Sequence, residues 1–206
     1  KSDYKLFSKS LEREVKLEKG FLRHIISGAD VKKYTVPSKR QYVIFPYLIN
    51  DGKPYLLKKN QFESDAPKTW EYLLENKKIL ENRENGKMKG EKWYGYVYLK
   101  NMALQNQSKI CVPRLVQEIQ AIYDEHGDWC LDNVDVGGVI LKQQYSNLTY
   151  YILGLLNSKL LSKYLSKIST PFRGGFWSCN RQYLEQLPIY MPSEKENEKY
   201  TICQQI

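Results

Sequence analysis

The residue types suited to chemistry gather in one nine-residue stretch, Arg173-Gly174-Gly175-Phe176-Trp177-Ser178-Cys179-Asn180-Arg181. Two guanidinium groups and a carboxamide stand in it. Arginine presents a planar fork of donors that fits phosphate oxygens or the two acceptors of guanine, and asparagine can pair with adenine. Phe176 and Trp177 bring flat apolar faces, for sugars above or a core beneath. Gly174-Gly175 allows a backbone path that residues with a Cβ avoid, so at least one positive φ is expected there. Lys32, Lys33, Lys39 and Arg40 form a second cationic group suited to phosphate contact. Lys58, Lys59 and Lys142 are further phosphate candidates. Arg173, Asn180 and Arg181 are the candidates within the stretch itself. Arg181 has an alternative partner in Glu185, four residues on, which would make it a helix brace.

Nothing in the sequence accompanies these groups as catalytic machinery. No glycine-rich loop joins a strand to a helix, so neither a dinucleotide nor a nucleoside triphosphate has a cradle. There is no Asn-Pro-Pro-aromatic tetrapeptide of the kind that amino-methyltransferases use to grip an amine. No paired acids with a spaced acid-x-lysine mark a nuclease metal site. Glu194-Lys195-Glu196 belongs to a charged tail. His24 and His126 are too few and too far apart for a histidine metal site. Cys111, Cys130, Cys179 and Cys203 lack paired spacing and read as buried thiols of a reducing cytosol. The chain is therefore expected to hold no catalytic residue, metal or cofactor of its own.

The loop must be positioned by what surrounds it. Leu148, Tyr151, Ile152, Leu155 and Leu156 recur every three or four residues and predict a helix with one apolar face. Asn157-Ser158 interrupts it and can cap a second helix, whose spacing is Leu160, Leu161, Tyr164, Leu165 and Ile168. Thr170-Pro171 ends that helix, because proline disfavours a helical residue before it. Beyond the loop, Gln182 to Leu187 turns back to the apolar Leu187-Pro188-Ile189. Upstream, Asp3–Lys9 and Glu12–Leu17 are candidate strands. Phe21, Leu22, Ile25 and Ile26 predict a helix over Glu18–Ile26. Gln41–Phe45 is the clearest strand, Asn50–Lys53 a turn, and Tyr55–Lys59 a weak strand. Asp65–Glu84 reads as one helix, with Pro67 in its first turn and Trp70 as its core anchor. Lys109–Pro113 reads as a strand. Gln117–Tyr123, Asp128–Leu131 and Val134–Leu141 read as a meander, with a bulge at Gly137-Gly138.

With 206 residues and 42% apolar content, the chain can bury a sizeable core. No apolar run is long enough to span a membrane. No charged-then-apolar leader with a small-residue cleavage site is seen. The chain starts at Lys1 with no methionine, which suggests a piece of something longer. Its net charge of +9 is uneven. Residues 1–60 hold 14 basic and 6 acidic side chains, whereas 111–140 set Arg114 against six acids. Basic ends around an acidic middle suggest one face meant for a polyanion.

The chain resembles the TaqI-like C-terminal specificity domain, the target-recognition domain of adenine-specific DNA methyltransferases and of single-chain type II restriction-modification enzymes. The resemblance rests on Glu18-Lys19-Gly20-Phe21-Leu22 through Ser27-Gly28-Ala29-Asp30-Val31-Lys32-Lys33-Tyr34, and on Val43-Ile44-Phe45-Pro46-Tyr47. It continues in Pro67 to Arg83 with Trp93-Tyr94, in Lys109-Ile110-Cys111-Val112-Pro113, in Leu153 to Leu160, and in Gly174-Gly175-Phe176 to Ile189. It implies a mixed module that reads the DNA major groove after a methyltransferase domain of the same chain, sometimes with a nuclease domain as well. That domain would flip the adenine and bind S-adenosylmethionine. The base-reading loops vary among members, so no contact residue carries over by motif.

The expectation is thus a mixed α/β (α+β) fold with a central antiparallel or mixed sheet and packed helices. One recognition domain would cover 1–192, followed by a charged tail over 193–206. Its partner would be double-stranded DNA in a bacterial cytoplasm. Two alternatives stand beside it: a nucleic-acid-binding module of another family, and a protein-interaction domain with an incidental basic surface.

Overall fold

The computed structural model describes residues 2–38, 41–132 and 134–192. These fall into two compact units. The first holds residues up to 23 together with 42–105, and the second holds 24–41 and the chain from 106, in their described parts.

The first unit opens with strands β1 (Asp3–Ser8) and β2 (Arg13–Glu18), an antiparallel hairpin in register from Asp3↔Glu18 to Ser8↔Arg13. Val15 and Leu17 of β2 point inward and join Leu22 in a small core. A 3-10 turn, Lys19–Phe21, then leads into β3 (Leu22–Ile26), along which the chain passes to the second unit. Here the helix expected over Glu18–Ile26 is replaced by turn and strand. Leu22 and Ile26 lie four apart, a spacing that one face of a strand also allows, and they are the two buried residues of β3. A long-range partner decides, because His24–Ile26 runs parallel to Trp129–Leu131.

Strand β4 (Tyr42–Ile44) follows, then the hairpin of β5 (Tyr47–Asn50) and β6 (Lys53–Leu56). Asp51 and Gly52 turn it with φ of +49° and +70°, the pair of positive values that matches strand twist. The weak strand over Tyr55–Lys59 shrinks to the end of β6. The single helix expected over Asp65–Glu84 is instead part of a broken run, α1 (Lys59–Asp65), α2 (Pro67–Glu75), α3 (Lys77–Glu81) and the short α4 (Arg83–Gly86), in which Glu84 and Asn85 hold left-handed φ of +49° and +58°. Asn76 interrupts it, its side chain donating to the Tyr72 carbonyl at 2.8 Å and so competing with the helix. Pro67 does occupy the first turn of α2. Trp70 is buried with Phe62, Trp93 and Tyr94, as the anchor reading requires. Glu18 caps α2 from outside, accepting from the N–H groups of Lys68 (3.0 Å) and Thr69 (2.8 Å).

In the second unit a 3-10 turn over Gly28–Asp30 is locked by Ser27, whose N–H and hydroxyl donate to Asp30 at 2.8 and 2.9 Å. Strand β7 (Lys109–Pro113) is followed by β8 (Leu115–Val116), β9 (Ile122–Asp124), β10 (Trp129–Leu131) and β11 (Val136–Val139). These do not form the expected meander. β7 lies between β11 and β9, both antiparallel to it, while β10 leaves to pair with β3. Nor does Gly137-Gly138 bulge, since the register runs unbroken from Val136↔Pro113 to Val139↔Ile110. Gly138 serves close packing instead, for a Cβ there would lie 3.0 Å from the Leu131 side chain.

Helices α5 (Thr149–Leu156) and α6 (Lys159–Ile168) take the predicted spacing. Leu148, Ile152, Leu156, Leu161 and Leu165 enter the largest core, whereas Leu160 stays in solvent. Ser158 caps α6 by accepting from the Leu161 N–H at 3.2 Å. Asn157 joins both backbone groups of Ala121, at 2.8 and 3.0 Å. Strands β12 (Pro171–Phe172) and β13 (Phe176–Ser178) and helix α7 (Arg181–Leu184) complete the described chain. The fold is mixed α+β, with its strands spread over several small sheets among the described residues rather than one central sheet. Lys39, Arg40 and the tail over 193–206 lie outside the described residues.

Candidate nucleic-acid interface

The arginine-glycine stretch is the tip of a hairpin. β12 and β13 pair at Pro171↔Trp177 and Phe172↔Phe176, and β13 then lies against β8 through Trp177↔Val116 and Ser178↔Leu115. Arg173, Gly174 and Gly175 turn the tip in solvent, with φ of +76° at Gly174 and +74° at Gly175. The base of the hairpin is stiff. Ser178 N–H donates to Thr170 O at 3.0 Å, and Cys179 N–H to Arg114 O at 2.8 Å. Trp177 packs against the core, which is the alternative role foreseen for it.

Two adjacent residues fasten this tip and the basic turn to the same place. Gln117 Nε2 donates to the Gly174 carbonyl at 2.8 Å. Glu118, its neighbour, pairs with Lys33 Nζ at 3.2 Å. Behind them runs a second set of links. Arg114 N–H donates to Asp135 O at 2.7 Å, and the Asp135 carboxylate accepts from the Gly28 N–H. The 27–30 turn, the β7–β8 junction and the end of the hairpin are thereby joined in series. The sequence pointed to none of Arg114, Gln117, Glu118 and Asp135. Gln117 and Glu118 fell inside an expected strand, and polarity was their one signal.

Of the candidate residues, Lys32 and Arg173 are exposed. Lys33 is mostly covered and already ion-paired. Asn180 is half-buried. Its amide donates to Ser178 Oγ at 2.9 Å, and its carbonyl takes the N–H groups of Tyr183 and Leu184 that start α7. Arg181 is 88% exposed and donates to Glu185, the helix-brace alternative, and that hydrogen bond raises the guanidinium pKa above its ordinary value. Lys142 is exposed in the second unit, before a 3-10 turn over Gln143–Leu148. Lys58 and Lys59 are exposed at the start of α1 and belong to the first unit, whereas the hairpin belongs to the second.

Part of the acidic middle of the chain is engaged internally, while Glu125 and Asp128 stay exposed. Glu118 and Asp135 hold the loops, and Asp124 is locked to Lys109 at 2.5 Å, each side chain only 2% exposed. The thiols of Cys111 and Cys179 are both pushed up to about 12, burial being the leading cause, so neither is a nucleophile at neutral pH. Cys203 lies outside the described residues. No helix among the described residues is long and apolar enough to cross a membrane.

The sequence model of the TaqI-like C-terminal specificity domain matches residues 23–189. The chain belongs to that family. The TaqI-like specificity domain serves DNA recognition in methyltransferase-type enzymes and is not itself catalytic. Its matched span contains the basic turn, the Gln117-Glu118 fastening and the whole hairpin. Gly174-Gly175 sits between two strands of this TaqI-like domain rather than between a strand and a helix, so it does not have the form of a phosphate or cofactor cradle.

Proposed function

We propose that this chain is the sequence-reading module of a bacterial adenine-specific DNA methyltransferase of restriction-modification type. It would follow a methyltransferase domain in the same polypeptide, and in a single-chain type II enzyme an endonuclease as well. S-adenosylmethionine would be bound by that catalytic domain. The observation that carries the reading is the fastening of two loops to Gln117 and Glu118. It supports a single surface of the second unit on which Lys32 and Arg173 face solvent together.

The division of labour follows from side-chain chemistry. Lys32 on the turn neutralises a phosphate and sets register, as a point charge without base preference. Arg173, on a rigid glycine tip, reaches beyond it. Arg181 starts a helix one strand later, and its Glu185 partner orients the guanidinium while leaving its outer donors for a base edge. Asn180, committed to Ser178, acts as the mount of that helix.

The test is fluorescence anisotropy of the purified chain on duplex DNA across a salt series. If about five phosphates are neutralised, log affinity should fall against log salt with a slope of roughly −4 to −5. A flat response would refute the reading and favour a protein-interaction domain. Equal or tighter binding to RNA would favour another nucleic-acid module.

A further inference from the structure

Tyr34 holds φ at +58°, in the left-handed region that side chains with a Cβ rarely adopt. The residue is 88% exposed. It makes no hydrogen bond, ion pair or ring contact among the described residues, so no interaction within the described parts of the second unit offsets the strain. Yet the backbone that presents it is fixed from three sides. Val31, three residues before, is buried in the core with Ile26 and Val136. Thr35 N–H closes the turn onto Lys32 O at 3.2 Å, and the Thr35 hydroxyl donates to Lys33 O at 3.1 Å. Lys33 is tied to Glu118, beside the residue that holds the arginine-glycine tip. Val36, 83% exposed, stands just beyond. A strained backbone that projects an aromatic ring into solvent marks a residue whose partner comes from outside.

The neighbours define that partner's chemistry. A flat π face flanked by an exposed ammonium group suits an aromatic ring carried on an anionic backbone. We infer that Tyr34 stacks on a nucleobase of the bound DNA, with Lys32 on the adjoining phosphate. The inference rests on the DNA-reading role proposed above. The base can come from either of two sources, a step between stacked pairs that the ring enters or a base left unpaired when its partner is displaced, and the stacking chemistry is the same for both.

The experiment uses a duplex selected from a randomised pool by the wild-type chain, with 2-aminopurine placed at each position in turn. Tyr34→Ala should lower affinity roughly 5- to 150-fold, the range for loss of one stacked base. Tyr34→Phe should bind within about 2-fold of wild type, because the face and not the hydroxyl makes the contact. Tyr34→Gly should melt at or above the wild-type temperature, since it relieves the positive φ and removes no packing. A fluorescence rise at two neighbouring positions would identify insertion at a step. A rise at one position would identify a single unpaired base, and both should vanish with Tyr34→Ala. Equal binding by wild type and Tyr34→Ala, with Lys32→Ala weakened, would overturn the stacking role and leave DNA reading intact. A lower melting temperature for Tyr34→Gly would also overturn it, by making the ring part of the fold. If the wild-type chain selects no duplex, both readings fall, and a protein partner becomes the ligand of this surface.

Discussion

Replacing Gly175 by valine perturbs the hairpin tip by conformation alone. Gly175 holds φ at +74°, and a Cβ built there would meet nothing within 4 Å. The cost is therefore that of forcing a β-branched residue into the left-handed region, about 1–2 kcal/mol or somewhat more. That is a few degrees of melting temperature for a protein of this size. The tip can escape the strain by turning Gly175 to negative φ. Doing so re-aims Arg173 and draws the Gly174 carbonyl off Gln117. Duplex affinity should then fall about 10-fold or more, as for loss of one or two charge-assisted contacts. Gly127→Ala is the contrasting control, because its Cβ would lie 2.2 Å from the Asn106 carbonyl oxygen inside the unit, and it should lower stability far more. Anisotropy on duplex DNA and thermal melting of the same samples decide the matter. A Gly175→Val protein that melts as low as Gly127→Ala would refute the reasoning, since the tip would then be structural. One that binds like wild type would refute the role of the tip in DNA contact.

Arg181→Ala should cost about 1–3 kcal/mol on the preferred duplex and relax discrimination at one base pair, whereas Lys32→Ala should weaken all sequences alike and reduce the salt slope by about one. Competition against every single-base variant separates the two, and a uniform loss for Arg181→Ala would make it a helix brace only. Lys109→Met should destabilise the second unit by about 3–5 kcal/mol in urea denaturation, because it strands the buried Asp124 carboxylate, and a loss under 1 kcal/mol would contradict the pairing. Burial would raise the Glu18 carboxyl, but the Thr69 hydroxyl and the N–H groups of Lys68 and Thr69 outweigh it and hold it below the ordinary carboxylate value. Its stabilising effect is then complete above the unfolded pKa near 4.5 and is lost as pH falls through the lower folded value. Glu18→Gln should remove that part of the acid sensitivity, and identical melting curves against pH for the two proteins would show that Glu18 does not cap α2.

Sequence by itself determined the elements whose signals are local. The 3.6-residue spacing over Leu148–Ile168, the Ser158 cap, the stop at Pro171, Pro67 opening α2 and the Asp51-Gly52 turn each depend on neighbours within a few positions, and each is present. The positive φ expected at Gly174-Gly175 follows from the lack of a Cβ and needs no tertiary information. The order of weak motifs was also enough to identify the family. What the tertiary structure decided involves partners far apart in the chain. Leu22–Ile26 is a strand because Trp129–Leu131 lies beside it, and β10 leaves the meander for the same reason. Gly138 is small because Leu131 crowds it, with no bulge to account for. Within the candidate site, lysine and arginine content drew attention to Lys32, Lys33, Arg173 and Arg181. The i,i+4 spacing did offer Glu185 to Arg181, but composition could not tell that Lys33 has an acidic partner, that Asn180 is a mount, or that Gln117 and Glu118 join Lys33 to the Gly174 tip. Those facts are distances between side chains, and only folding brings the side chains within reach of one another.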